Sequence, residues 1–554
     1  MKNLSKKLAG ITIAGAVALS GFGITAKNDS GEAKDKKKQP TKVIMMVMDG
    51  TSSTVTTLAR WYKGGNLAMD EMAAGGVRTY SAESAITDSA PAGTALATGH
   101  KTNDKYIGVL PSVVNSPGLK PVDEKDAQRP VANVLEGAKL LGKSTGLVAT
   151  AEIQHATPAD FSAHATHRSN YGDIAEQQVY QNIDVVLGGG KESLSPASSK
   201  NARQDGEDLI KVLDQKKYDF VEDRNSLLNS KSDKIWGSFA PSALAYDFDR
   251  KTAKPSEPTL AEMTDKAIKT LNKDKDGFFL FVEGSKVDWA AHANDPIGMI
   301  SDTLAFDDAV KKALDFAKKD GNTMVIAVTD HGNSGISIGN LKTGTGAYSS
   351  TPVSAYIDPL KKAKLTVEGA ASNLKDDLSN IEEVAASYGL DNLSAAEKEK
   401  LSAVKKKTDA GGILVKLLAD RANLGFTTGG HTGEDVFLYS FGPSRPFGLL
   451  ENTDLPKKAA KFMGFDLGQV TKQLYANAKE EFAKKGFDVR IDVTDAANPV
   501  FIAQNGSQKV EIPANKNIAI ISNGKTSVKK EVNGIAVYNG KDFYVTQSIL
   551  KLVK

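Results

Sequence analysis

Short, unbroken apolar runs recur from residue 43 onward, at 43–48, 146–150, 185–187, 278–282, 324–328 and 436–439. A run without polar alternation predicts a strand buried on both faces, as in a parallel sheet covered by helices. Helical spacing fills several of the intervals, notably 259–271 and 303–318. The predicted class is α/β, with a large, mostly parallel central sheet flanked by helices. The residues that close the runs sharpen the picture. The first run ends in Asp49-Gly50, the run at 278 in Glu283, and the run at 324 in Thr329-Asp330-His331. In an open α/β sheet the strand ends are the edge where ligands bind. Three acidic endings there predict a site rather than three unrelated surface charges.

Two regions break the alternation. Residues 365–423 are rich in Lys, Glu and Ala at helical spacing and predict an inserted helical lobe, lying between a strand near Val353 and the loop Gly429-Gly430-His431. A Lys/Glu/Ala-rich helix is expected over 467–485. From 487 the pattern changes to alternation (Val489, Ile491, Val493; Ile518, Ile520) with Asn-Gly pairs at Asn505, Asn523, Asn533 and Asn539. These are hairpin signals, so 487–554 reads as a small C-terminal β module after a catalytic domain at 42–486. Its lysine-rich faces would suit docking on a cell wall, contact with a partner subunit or a cap on the fold.

The N-terminus carries Lys2, Lys6 and Lys7, then an apolar stretch at 8–24 interrupted by Gly and Ser, then Thr25-Ala26. That pattern predicts a secretory signal peptide over 1–26, followed by a disordered linker at 27–41, and hence a secreted or cell-envelope protein. A formal charge of +3 on 70 basic and 67 acidic residues gives no reason to expect nucleic acid as a partner. Cysteine is absent. Any metal must therefore be held by His and carboxylate, and any nucleophile must be something other than thiolate.

Within Thr87-Asp88-Ser89-Ala90-Pro91-Ala92-Gly93-Thr94, small helix-compatible residues follow Ser89. This places a hydroxyl near a helix N-terminus, where free N–H groups favour an anion such as phosphate. A plain N-cap is the competing reading for that serine alone. Asp288 and His292 are four apart, so on a helix they share a face and can bind one metal. Asp330 and His331 adjoin at a strand end, and His431 sits between glycines that let a ring approach closely. With Asp49 and Glu283 these supply ligands for two or three divalent ions. A nucleophile beside such a cluster predicts a multi-metal hydrolase.

The chain closely resembles the bacterial alkaline phosphatases, through Val47-Met48-Asp49-Gly50, Thr87-Asp88-Ser89-Ala90, Ala156-Thr157-Pro158-Ala159 with Arg168, Val282-Glu283-Gly284-Ser285 with Asp288 and His292, Thr329-Asp330-His331, and Thr428-Gly429-Gly430-His431-Thr432. The resemblance implies hydrolysis of a broad range of phosphate monoesters through a phosphoserine at Ser89. It implies one zinc on Asp288, His292 and His431, and a second on Asp49, Asp330 and His331 with the Ser89 oxygen. A third ion, magnesium in the family, would use Asp49, Thr157 and Glu283. Arg168 would grip phosphate, positioned by Asp88. Family members are usually homodimers, while the inserted lobe and the β tail could change that interface, so the resemblance leaves the oligomeric state open.

Two positions depart from the best-known bacterial pattern. His155 stands where that branch has aspartate, and Trp289 where it has lysine. Both are read as tuning the third site, which then tolerates zinc or cobalt in place of magnesium. His100, His164 and His167 match no ligand position and are read as structural or supporting. The superfamily's sulfatases need an Arg where this chain has Gly93. Its nucleotide diesterases generally use threonine and lack the Arg168 arrangement, which leaves a diesterase as the runner-up.

Overall fold

In the computed structural model, which describes residues 41–196, 203, 205–343 and 347–553, ten strands form the central sheet. They are β1 (Lys42–Met48), β2 (Ala73–Arg78), β3 (Ser144–Glu152), β4 (Val185–Gly189), β5 (Asp219–Val221), β6 (Ile235–Ser238), β7 (Phe278–Gly284), β8 (Thr323–Val328), β9 (Val436–Phe441) and β10 (Gly448–Glu451). Their order is β10-β2-β9-β8-β1-β7-β3-β4-β6-β5. All neighbours are parallel except β9, which runs antiparallel to both β2 and β8.

Most of the unbroken apolar runs are central strands with both faces covered; in β9 Phe437 is half exposed, so the run at 436–439 is covered on one face only there. Alternate residues of β1 serve opposite cores. Ile44, Met46 and Met48 pack with Ile297, Ile300 and Phe306 of the long helix Pro296–Asp320, while Val43, Met45 and Val47 pack with Leu96 and Leu135 on the other side. Val43 to Val47 are fully buried. Each such side chain contributes about 1.5–3 kcal/mol, which anchors a strand whose end carries uncompensated charge.

Three helices matter for the site: α1 (Ser89–Thr98), α2 (Tyr171–Tyr180) and α3 (Lys286–His292). The helical lobe runs through five helices from Ser354–Ile357 to Lys407–Arg421. Two buried carboxylates fasten it: Asp249 accepts from the Thr366 hydroxyl, and Asp295 accepts from the Val367 amide and from the Tyr388 hydroxyl at 2.6 Å. The strand expected near Val353 is absent. Val353 is half exposed and precedes the helix Ser354–Ile357, so its β-branched side chain has no sheet to bury against.

The single helix expected over 467–485 is two helices, Leu467–Leu474 and Ala478–Lys484. Between them Tyr475 leaves helical geometry to bury its hydroxyl against Glu136 and His164, Ala476–Asn477 pair with Tyr544–Val545, and Asn477 caps the second helix. Beyond lies an antiparallel meander of five strands, β11 (Asp488–Asp492), β12 (Val500–Asn505), β13 (Gln508–Pro513), β14 (Ile518–Asn523) and β15 (Thr526–Glu531). Asn505-Gly506, Asn523-Gly524 and Asn539-Gly540 turn hairpins. Asn533-Gly534 does not; it crosses from β15 toward the small three-stranded sheet. The described residues form one compact unit. The expected signal peptide and almost all of the linker lie outside the described residues.

Candidate active site

Parallel register brings the acidic strand ends together. Val47 of β1 lies opposite Glu283 of β7 and Val328 of β8, and Glu283 lies opposite Ala149 of β3. Asp49, Glu283 and the Asp330-His331 pair therefore emerge at one edge, and the chain after β3 delivers His155 and Thr157 to the same place. Gly50 makes the convergence possible. Its φ is +64°, and a Cβ there would lie 2.3 Å from an Asp288 carboxylate oxygen. His431 arrives differently, on a two-residue antiparallel pairing of His431–Thr432 with Gly332–Asn333 that stacks its ring on His331 at 3.7 Å.

The histidines are oriented by backbone. His292 Nδ1 faces the Gly429 carbonyl at 2.9 Å, His331 Nδ1 the Gly332 carbonyl at 3.2 Å, and His431 Nδ1 the Thr87 carbonyl at 2.9 Å. A carbonyl only accepts, so each Nδ1 carries a proton, and each ring turns its Nε2 inward as the nitrogen that can bind a metal. Those three nitrogens face carboxylates. His292 Nε2 and His431 Nε2 are 3.1 Å apart, with Asp288 oxygens at 3.4 and 3.5 Å. His331 Nε2 lies 3.4 Å from both Asp49 Oδ1 and Asp330 Oδ2.

Ser89 is the first residue of α1, almost fully buried, with Asp88 as the extended residue before it. The chain thus has both features read from sequence: a helix start and a hydroxyl aimed at the cluster. Ser89 Oγ is 3.2 Å from His331 Nε2 and 3.5 Å from Asp49 Oδ2. The hydroxyl's single proton can go to one of these neighbours, and its lone pairs stay available. Asp49 Oδ2 is also 3.5 Å from the Thr157 hydroxyl, which makes Asp49 the shared carboxylate of two groups.

Arg168 is bound by Asp88 through Nη1, and its Nη2 donates to His155 Nε2 at 2.9 Å. Burial opposes charge on both Arg168 and Asp88, yet their mutual attraction prevails, raising the guanidinium and lowering the carboxyl from their ordinary values. Burial and the Arg168 charge push His155 down to about 3, so it is a neutral ring. Trp289 meets it edge-on at 5.9 Å between centroids, and its own face carries the Lys286 ammonium at 4.6 Å.

The donor set fits cations. Ligand atoms of Asp288, His292 and His431 lie within 4.8 Å of one another, as do those of Asp49, Asp330 and His331, and those of Asp49, His155 and Glu283. Asp49 Oδ1, Asp330 Oδ2, both Glu283 oxygens and His155 Nδ1 are buried without a hydrogen-bond partner. Burial, then repulsion from Asp330, Asp288 and Glu283, drives the Asp49 carboxyl well above the usual range, and burial lifts Glu283 to about 8. Carboxylates forced together out of water need positive charge among them. Asp288 lifts His292 to about 9, chiefly through their hydrogen bond.

Two participants were not read from sequence in these roles. His155, expected only to tune the third site, brings a ring nitrogen among the Asp49 and Glu283 oxygens. Asn333 Nδ2 donates to Asp288 Oδ1 at 2.7 Å and fixes that carboxylate, a role that no spacing announces. His164 is buried against Glu136, Tyr475 and the Gly108 carbonyl, and His167 is exposed and accepts from the Ser169 amide. Neither is among the candidate ligand groups. His100 follows the Gly99 cap of α1 and is exposed.

Comparison with known proteins bears on this geometry. The family model for alkaline phosphatase matches residues 41–465. Alkaline phosphatase 3 of Bacillus subtilis (strain 168) is 36% identical over 494 residues, covering 84% of this chain and 99% of the relative. The crystal structure of Thermus thermophilus alkaline phosphatase superposes with a TM-score of 0.66 at 26% identity, over 79% of this chain and 96% of that one. A His-to-Asp variant of the alkaline phosphatase from TAB5, described with magnesium in its M3 site, superposes with a TM-score of 0.54 at 26% identity, over 77% and 99% of the two chains.

Proposed function

The chain belongs to the alkaline phosphatase family, and from that premise we propose that it hydrolyses phosphate monoesters through a phosphoserine at Ser89, with two zinc ions and a third divalent ion. The observation that carries the proposal is the grouping of three inward Nε2 atoms and four buried carboxylates, with one helix-start hydroxyl against His331 and Asp49.

Arg168 holds two non-bridging phosphate oxygens in the geometry a guanidinium offers, and Asp88 fixes its plane. The amide groups at the start of α1 add partial positive charge at the phosphate. Ser89 Oγ gives up its proton and attacks phosphorus; the Oγ–P bond forms, the ester P–O bond breaks, and the proton count is balanced as the alcohol departs with one proton. Water then attacks the phosphoserine and the Oγ–P bond breaks; one water proton stays on the inorganic phosphate that leaves, and the other restores the Ser89 hydroxyl. Asp288, His292 and His431 would hold one ion, Asp49, Asp330 and His331 another, and Asp49, Glu283 and Thr157 the third, with the His155 ring beside it. When bound, such ions supply the charge that lowers the pKa of the serine hydroxyl and of the attacking water and steadies the leaving oxygen.

Monoester and diester substrates with the same leaving group discriminate the runner-up. The expected result is a strong monoester preference, because Arg168 and the helix start answer to free phosphate oxygens; a clear diester preference would replace the reading. His155 also carries an expectation. After chelation, cobalt should restore activity differently from magnesium, and His155→Asp should shift recovery toward magnesium, since carboxylate suits the harder ion. Equal recovery in both proteins would remove the role given to His155. Finally, an ion on Asp288, His292 and His431 displaces the His292 proton, which is held below about pH 9. Zinc affinity there should climb about tenfold per pH unit between pH 7 and 9, with proton release seen by calorimetry in buffers of different ionisation enthalpy. A flat profile would contradict it.

Export is part of the same proposal and rests on the apolar run at 8–24. Removing residues 1–26 should retain the activity inside the cell.

A further inference from the structure

Asn515 lies in the turn between β13 and β14 of the C-terminal meander, in the left-handed region at φ 64° and almost fully buried. Its backbone amide is fixed within its own region by the Ala536 carbonyl at 2.7 Å. Its side chain reaches more than 330 residues back in the sequence. Nδ2 donates to Asp173 Oδ1 and Glu176 Oε2, each at 3.0 Å, and Oδ1 accepts from Gln177 Nε2 at 3.0 Å. Residues 173, 176 and 177 are spaced i, i+3, i+4, so they form one face of α2. The amide is saturated, with both donors on carboxylates and its acceptor on an amide, which fixes its orientation.

Gln177 passes the constraint on. Its Nε2 also donates to the His164 carbonyl at 2.9 Å, and its Oε1 accepts from the His164 amide at 2.7 Å. Both backbone groups of His164 are thereby clamped. The next residue, Ala165, exchanges hydrogen bonds at 2.9 Å with Ile107, and the Arg168 amide donates to Lys105 at 2.8 Å. Helix α2 itself begins three residues after Arg168. The segment carrying Arg168 is thus held at its start by Gln177 and at its end by α2, and Asn515 grips both through one helix face.

We propose that Asn515 is a positioning residue for phosphate binding: the C-terminal meander sets Arg168 through Asn515 and Gln177. The inference rests on the reading of Arg168 as the phosphate grip. Lys516 supplies the contrast. It pairs with Glu176 at 3.0 Å and Glu207 at 3.1 Å, so it fastens the same surfaces without touching Gln177.

The test is the dissociation constant of inorganic phosphate, measured by calorimetry on the full-length, metal-loaded enzyme. Asn515→Gly keeps the left-handed backbone and removes the clasp, and should weaken phosphate about fivefold. Gln177→Met should weaken it at least as much, and provides the measurement if the glycine variant does not fold. Lys516→Met should stay within about twofold of wild type. In an Arg168→Ala background, Asn515→Gly should add nothing, because the two changes act on one contact. Wild-type affinity in both clasp variants, the same loss in Lys516→Met, or an undiminished loss in the Arg168→Ala background would each overturn the proposal. Unchanged phosphate affinity in Arg168→Ala alone would instead overturn the reading of Arg168.

Discussion

Ser89→Ala should lower monoester turnover by about a thousandfold or more, with the content of bound zinc unchanged. The two halves of that result have separate origins. Turnover falls because no other hydroxyl occupies the first turn of α1 facing His331 Nε2 and Asp49. Metal content holds because the ligands proposed for each ion remain, Asp49, Asp330 and His331 on one side and Asp288, His292 and His431 on the other. The fold should hold as well, since alanine is a good helix former and α1 is already built of small buried residues. Turnover and metal analysis on matched preparations check both. Loss of zinc together with activity would make Ser89 a ligand first and leave its nucleophilic role without support; normal turnover would end the mechanism.

Chelation should abolish turnover and also lower thermal stability. Asp49, Glu283, Asp288 and Asp330 are buried side by side, and no lysine or arginine pairs with them among the ion pairs of the described residues. Bound cations relieve this repulsion in the folded state only. An ion present at a thousandfold over its dissociation constant adds ~4 kcal/mol of stability, which for a chain this long is a shift of a few degrees in Tm. Scanning calorimetry of the holo and chelated protein, with zinc returned afterwards, measures it. An unchanged Tm would mean that the carboxylate cluster is not held together by metal.

Much of the site was legible because its parts are strand ends. An apolar run buried on both faces has to finish in something polar, and the residues that finish β1, β7 and β8 are Asp49, Glu283 and Asp330-His331. Parallel register then does the assembly without further information. The α3 pair, Asp288 and His292, was legible from its spacing for the same reason of regular geometry. The parts that stayed hidden depend on tertiary partners. The apolar run of β9 has the same pattern whether it pairs parallel or antiparallel. The break at Tyr475 is set by Glu136 and His164, more than three hundred residues away in sequence. Val353 is β-branched but exposed, so local preference misread it. Asn533-Gly534 has the turn residues of a hairpin but no strand to return. His155 and Asn333 act through rotamers and lone pairs, which a sequence pattern does not express, and Asn515 is a turn residue until its three partners on α2 are seen.

The central claim is that phosphorus becomes bonded to Ser89 Oγ, and acid quenching tests it most directly. The enzyme is mixed with a radiolabelled phosphate monoester, quenched in acid during turnover, digested, and the label located by mass spectrometry. The expected result is label on the peptide containing Ser89 and its disappearance in Ser89→Ala. Label on another residue, or full turnover with no covalent label at any quench time, would contradict it.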